Sequence, residues 1–246
     1  MCMRSSVNPP HDPRGWRLAR LLLVLAVAWG LLSAADSALA LTKEEKRLHT
    51  CGEVMTELLA GKESIPRDLL DKAECVAVIP SVKKFALGLG GRWGKGAVVC
   101  RTTDDWGPPL MLSLGGGSVG FQIGGQAADY VLLVMNPKGI DYLLRSKFTL
   151  GADAAVAAGP VGRTGSASTD LRMRAEILSY SRTRGLFAGI SLEGAVVKQD
   201  ENANEKVYGV RVDPNKLLLQ AGYRVPASAR GLVDLLRGAS PRKVVD

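Results

Sequence analysis

Histidine is nearly missing from this chain. Two occur in 246 residues, and beyond residue 40 only His49 remains, so a Ser-His-Asp or Cys-His arrangement would have to be built on that one side chain. It lies in a helical stretch with nothing beside it that would activate it, which argues against an enzyme; a carboxylate acid/base pair, or a pocket against the Gly115–Gly125 face, is the remaining catalytic reading. Cysteine is sparse as well. Beyond residue 40 there are Cys51, Cys75 and Cys100, too few and too widely spaced for a zinc pattern, so neither metal nor cofactor is expected. Cys75 and Cys100 flank neighbouring apolar runs: a disulfide is open to them in an oxidising compartment, and buried free thiols are the simpler alternative. There is no run of Lys and Arg and no recognisable nucleic-acid module, which excludes nucleic acid as the expected partner. After residue 41 there is no Pro/Ser-rich linker and no internal repeat, so one domain is expected.

What is present begins with an export signature. Arg4, Arg14, Arg17 and Arg20 precede the apolar run Leu21 to Ala35, and Ala38-Leu39-Ala40 offers a small-x-small cleavage site. The run falls short of the roughly 20 residues that span a bilayer comfortably. Residues 1–40 are therefore expected to be a signal peptide directing the chain to the periplasm or beyond, the alternative being a retained anchor in the inner membrane. The whole chain carries a charge of +8; setting aside the four arginines and two aspartates of residues 1–40 leaves 28 basic and 22 acidic residues, or +6. That surplus favours anionic partners.

Residues 41–60 read as a helix, with Thr42 and Glu45 as a capping box and Leu48, Cys51, Met55, Leu58 and Leu59 along one side. Such a stripe either packs on a sheet or lies on a membrane surface. A second short helix is expected from a cap near Ser64, with Pro66 in its first turn. Strands follow: Val76–Ile79, stopped by Pro80, then Phe85–Gly90, Gly94–Arg101 and Pro109–Leu114. Ser118–Gly124 alternates with Val119, Phe121 and Ile123 on one face, and Tyr130–Met135 is a continuous apolar run. Twelve glycines fall between Phe85 and Gly125; separated as they are by apolar strands, they predict a bent, closely packed sheet. Further on, a helix is expected over 137–146, a loop over 164–170, strands over 177–183, 186–193 and 195–200, a hairpin tip at 201–205, and helices from Asp213 and Ser228. The fold class is α+β: a glycine-rich, mostly antiparallel curved sheet with short flanking helices, the domain running over 41–225 and a C-terminal helix and basic tail over 226–246.

Gly115, Gly117 and Gly120 satisfy G-x-G-x-x-G, but a strand pattern follows where a dinucleotide site needs a helix. Two cationic clusters carry more weight. One is Lys83, Lys84, Arg92, Lys95 and Arg101 around Trp93; the other is Tyr180, Arg182 and Arg184. Cations beside aromatics at strand turns suit an anionic headgroup at a water–lipid boundary, while a solvated sheet rim is the plain alternative.

The stretches IPSVKKFALGLGGRWGKG, WGPPLMLSLGGGSVGFQIGGQAADYVLLVMN, FTLGADAAVAAGPVGR and YSRTRGLFAGISLEG, closing with VYG at 207–209, resemble the SYLF domain family over residues 41–225. The resemblance implies binding of phosphoinositide-containing membranes, as in eukaryotic members, and actin binding, as in the yeast branch. It implies a basic surface, here Lys83, Lys84, Arg92 and Lys95, and an amphipathic helix, here Leu48 to Leu59. For an exported chain the expectation kept is the general one: non-enzymatic binding of anionic phospholipid or a membrane surface, with actin set aside. The rival is an envelope scaffold that self-associates through its sheet faces.

Overall fold

The apolar runs between Cys75 and Met135 do not form six short strands. They form two long ones, β1 (Cys75–Cys100) and β2 (Leu110–Val134), paired antiparallel from Cys75 opposite Val134 to Val98 opposite Leu110. The computed structural model describes residues 41–61, 65–103, 105–161, 175–183, 186–220 and 222–241, with backbone alone at 86–89 and 118–125. The signal segment, Ser64, the 164–170 loop, Arg184 and Gly185, and the side chains of Val119, Phe121 and Ile123 lie outside the described residues.

Pro80 does not end β1. It has no N–H to give to the ladder, and the ladder is interrupted there: the register shifts between Ile79 and Val82, with Ser81 at φ 50°. Beyond this bulge pairing resumes. The triple glycine lies inside the ribbon, with Gly115, Gly116 and Gly117 opposite Trp93, Arg92 and Gly91.

The ribbon is folded back on itself. At about 3.3 Å per residue a straight strand of this length would hold its ends roughly 80 Å apart. Instead Cys75 and Cys100 are joined by a disulfide, with Cα atoms 4.0 Å apart, so the pairing is a bond and not two free thiols. A Cβ on Gly94 would lie 2.7 Å from a methyl carbon of Val82, so the two halves of β1 run side by side and glycine is what lets them close.

Strand order is β3 (Lys147–Thr149), β7 (Val196–Gln199), β2, β5 (Ile177–Thr183), β4 (Val156–Ala158), with β1 on β2 and β6 (Leu186–Gly189) on β5. Among the described strand pairs only β4 with β5 is parallel, and an isolated parallel bridge joins Leu150 to Ala154. Strands β3 and β4 stand at opposite ends of this path yet are neighbours in the chain, so the sheet is curled. The architecture is α+β, a curved mixed sheet with short helices.

Both faces of the sheet are apolar. On one, Val76, Val78, Ala97, Val99, Val131 and Leu133 pack under α1 (Lys43–Ala60) and α6 (Arg230–Ala239). On the other, Ala77, Ile79, Val98, Leu112, Tyr130 and Leu132 pack with α3 (Pro137–Leu144) and α5 (Pro214–Leu218). Helix α2 (Arg67–Lys72) follows Pro66. Asn136 caps α3 by accepting the Gly139 N–H, and Asp213 caps α5 ahead of Pro214.

The hydrophilic residues 201–205 are not a hairpin tip. They open helix α4 (Glu201–Tyr208), capped by the Asp200 carboxylate, which accepts the Ala203 N–H, and closed by Gly209 at φ 72°. Asn204 looks like a surface residue but is buried. Its amide accepts the Met111 N–H at 2.7 Å and donates to the Met111 carbonyl at 3.2 Å, a carbonyl that also accepts the Asp200 N–H at 3.0 Å, so the start of α4 serves the backbone of β2 just past the end of β7.

Candidate functional site

The bulge at Ser81 decides which side chains reach the surface at the bend of the ribbon. Before it, odd-numbered residues of β1 (Ala77, Ile79) face away from α1; after it, Val82 does. Lys83 and Phe85 are thereby turned to the α1 side, and Lys84 to the other. On the returning half, Ala97 and Val99 face α1, so Lys95 and Trp93 do too, while Arg92 shares the side of Lys84. Phe85 is 62% exposed and Trp93 51% exposed. Their partners across the ribbon are Gly125 and Gly115, which offer no side chain to cover them. Lys83 is exposed beside Phe85. Leu186, 69% exposed, joins the same end of the sheet, because it opens β6 opposite Thr183, next to the Asp129–Arg182 pair of β2 and β5.

The bulge itself is tied down. Asp129 accepts the Ser81 N–H at 2.8 Å and Nε of Arg182 at 2.7 Å, and Arg182 also pairs with Glu57 on α1. Burial pushes the Asp129 carboxyl above its ordinary value, and the Ser81 N–H works against that shift. Arg182 is therefore a tether joining α1, β2 and β5, with Phe187 under its guanidinium.

The remaining predicted cations separate into different roles. Lys95 donates to Asp200 at 2.8 Å, and Arg47 of α1 reaches the same carboxylate at 3.4 Å. Burial of Asp200 acts to raise its pKa, but Lys95, the Ala203 N–H and Arg47 together outweigh it and hold the carboxyl below the usual range. Arg101 stands at the other end of β1, far from the bend. It donates to the Ala73 carbonyl at 2.9 Å and to Ser240 Oγ at 2.6 Å, and stacks 4.2 Å from the Trp106 ring centre, anchoring the end of α6. Tyr180 is fully buried against Gly159, where a Cβ would meet its ring at 2.1 Å, so it presents no surface. The structure brings Lys83, Lys84, Arg92 and Trp93 together at the bend, keeps Lys95 beside them with its Nζ 6.0 Å from the Trp93 ring centre while it pairs with Asp200, and assigns Arg101, Tyr180 and Arg182 to holding the fold.

The apolar side of α1 is likewise occupied. Leu48, Cys51, Met55 and Leu58 are fully buried against the sheet and α6, and Leu59 is partly buried. Each buried large side chain contributes about 1.5–3 kcal/mol. Turning this face to a membrane would then cost on the order of 10 kcal/mol, comparable to the whole stability of a domain. Cys51 donates its thiol to the Val78 carbonyl, and burial pushes its pKa up to about 12, the mark of an inert core thiol. His49 is on the exposed side of α1, 3.4 Å from Glu53. It lines neither the 840 Å³ groove between Leu59, Ile65, Leu70 and Leu235 nor the 590 Å³ groove beside Arg101. Among the described residues no helix is long and apolar enough to cross a membrane.

Sequence reasoning did not single out Phe85, Leu186 or Tyr130. Phe85 does lie in a strand, but its exposure depends on the bulge at Ser81; the one ring in FALGLGG, among glycine, alanine and leucine, is the available signal.

The sequence model of the Ysc84 family, described as Las17-binding protein actin regulator, matches residues 115–239. An SH3 domain-containing protein of Schizosaccharomyces pombe is 35% identical over 184 residues, 73% of this chain and 42% of its own length. Protein YSC84 of Saccharomyces cerevisiae is 29% identical over 73% of this chain and 39% of its own. The SH3 domain-containing YSC84-like protein 1 of Homo sapiens is 33% identical over 70% of this chain and 50% of its own. The chain thus spans half the length, or less, of these curated relatives.

Proposed function

The chain belongs to the Ysc84, or SYLF, family, and from that premise we propose that it is a non-enzymatic domain that binds anionic lipid at a membrane surface through the bend of its β1–β2 ribbon. One observation carries the reading. Two large aromatics, Phe85 and Trp93, stand more than half exposed at one end of the sheet with Lys83 beside them and Leu186 close by. Isolated exposed apolar residues need no explanation, but several at one end of a sheet, with a cation among them, do. Aromatic rings that enter the headgroup layer while a lysine meets its negative charge account for the combination. The surplus of positive charge works in the same direction and at longer range.

The same reading includes export ahead of Leu41. The Cys75–Cys100 bond supports it, since such a bond persists in an oxidising compartment. The family is described as a Las17-binding actin regulator, and a Saccharomyces cerevisiae relative is named LAS seventeen-binding protein 3; nothing at the ribbon bend argues for a filament in preference to a lipid surface.

Co-sedimentation with vesicles tests the proposal. The protein should pellet with phosphatidylglycerol-containing vesicles and not with pure phosphatidylcholine, and less so as salt is raised past the point where the Debye length is about 8 Å. Changing Phe85 and Trp93 together to Ala should abolish most of the binding. Undiminished pelleting of that variant would refute the assigned surface, and concentration-dependent association without lipid would favour the scaffold reading instead.

A further inference from the structure

Two apolar surfaces stand open at opposite ends of the sheet. One is the rim at the bend, where Phe85, Trp93 and Leu186 project with Lys83 among them. The other is the 840 Å³ groove, walled by Leu59 at the end of α1, by Ile65 and Leu70 around α2, and by Leu235 and Gly238 of α6. Arg101 fixes the place of this groove. Its guanidinium donates to the Leu70 carbonyl and to Ser240, the residue that ends α6. Since Arg101 follows the last residue of β1, groove and rim are separated by about half that strand, roughly 40 Å. One molecule cannot seat its own rim in its own groove.

The two surfaces are opposite in shape and in charge. The rim projects and is cationic, with Lys83, Lys84 and Arg92 around its rings. The groove is concave, and on its lining Asp68 and Asp234, the second shared with Arg237, outnumber Arg67, in a chain whose net charge is +8. An anionic lipid is therefore a poor occupant of the groove. Its volume lies in the range of about 300–1,000 Å³ that holds compact apolar groups, and aromatic side chains are the usual anchors in such pockets between proteins. We propose that the groove receives the rim of a second copy of this chain, with Phe85 and Trp93 seated among Leu59, Ile65 and Leu235 and the rim cations beside Asp68 and Asp234. Rim and groove are different patches, so each molecule that offers its rim keeps a groove for the next, and copies join head to tail. Two rings remove only about 300–500 Å² from water, short of the roughly 1,200 Å² of a stable interface, so the association is weak and depends on concentration. The contact does not rest on the lipid reading. Both use the rim, so vesicles and a neighbour's groove compete for it, and unlike association through sheet faces it needs the groove.

Sedimentation of the protein at rising concentration tests the contact. Wild type should associate reversibly with no lipid present, and less so as salt is raised. Gly238→Leu puts a side chain into the groove where an added Cβ meets nothing within 4 Å. Leucine suits a helix better than glycine, so the melting temperature should not fall. This variant, and the rim variant Phe85→Ala with Trp93→Ala, should each lose association by about tenfold or more. Mixed one to one they should pair again, because one keeps its rim and the other its groove, and the complex should stop at two chains. Asp68→Lys with Asp234→Lys, both exposed, should weaken association as well. If Gly238→Leu no longer associates yet pellets with phosphatidylglycerol vesicles, this contact and the lipid reading both hold; if it no longer associates and neither it nor wild type pellets, the contact holds and the lipid reading falls. Wild type that stays monomeric up to about 1 mM, association that Gly238→Leu leaves undiminished, or a mixture that fails to pair would overturn the proposal.

Discussion

A Cβ placed on Gly96 would fall 2.0 Å from the carbonyl oxygen of Val78, in the facing half of the same strand. No side chain fits there without moving backbone. Gly96→Ala should therefore destabilise the protein by about 1–3 kcal/mol or more, the range for a forced fit in a packed core. Gly117 is the control: nothing lies within 4 Å of its added Cβ, so Gly117→Ala should stay within about 0.5 kcal/mol of wild type. Urea denaturation of the two variants measures both, and equal midpoints would show that the halves of β1 are not in contact.

The disulfide closes the same fold from its open end. Joining residues 25 apart restricts the unfolded chain, an effect worth about 3 kcal/mol for a loop of this size. The double change Cys75→Ala and Cys100→Ala should lower stability by that order. Reducing agent should destabilise wild type and leave the variant unmoved.

Asp200 gives the fold an acid-sensitive joint. Its carboxyl titrates below the unfolded value of 3.8 because Lys95, the Ala203 N–H and Arg47 outweigh the cost of burial. A folded pKa below the unfolded one means that stability is present above the unfolded pKa and is lost as pH falls through the folded one. Asp200→Asn keeps a good helix cap and removes the charge. The variant should be less stable than wild type at pH 7, and the gap should close in strongly acidic solution. A gap that stays constant with pH would mean that the charge contributes nothing.

Much of this was legible in the sequence. The caps at Asn136 and Asp213, the stripe of α1, and the bent sheet implied by twelve glycines between Phe85 and Gly125 follow from local chemistry that the chain displays openly. What was hidden depends on residues far apart. Lys95, Arg101 and Arg182 look like free cations because their partners Asp200, Ser240 and Asp129 lie 105, 139 and 53 positions away. Asn204 looked like a loop residue because Met111, whose backbone it serves, is 93 positions off. One extra residue at Ser81 reverses the alternation of β1, so a count carried straight through Pro80 puts Phe85 and Lys83 on the face turned away from α1.

The central claim is that Phe85 and Trp93 meet the lipid, and the emission of Trp93 tests it most directly. Subtracting the spectrum of Trp93→Phe from that of wild type isolates this one indole, since Trp16, Trp29 and Trp106 are common to both. On adding phosphatidylglycerol vesicles the difference spectrum should shift to the blue and become quenchable by lipids brominated near the headgroup. A protein that pellets with those vesicles while the Trp93 emission stays where it was would contradict the account.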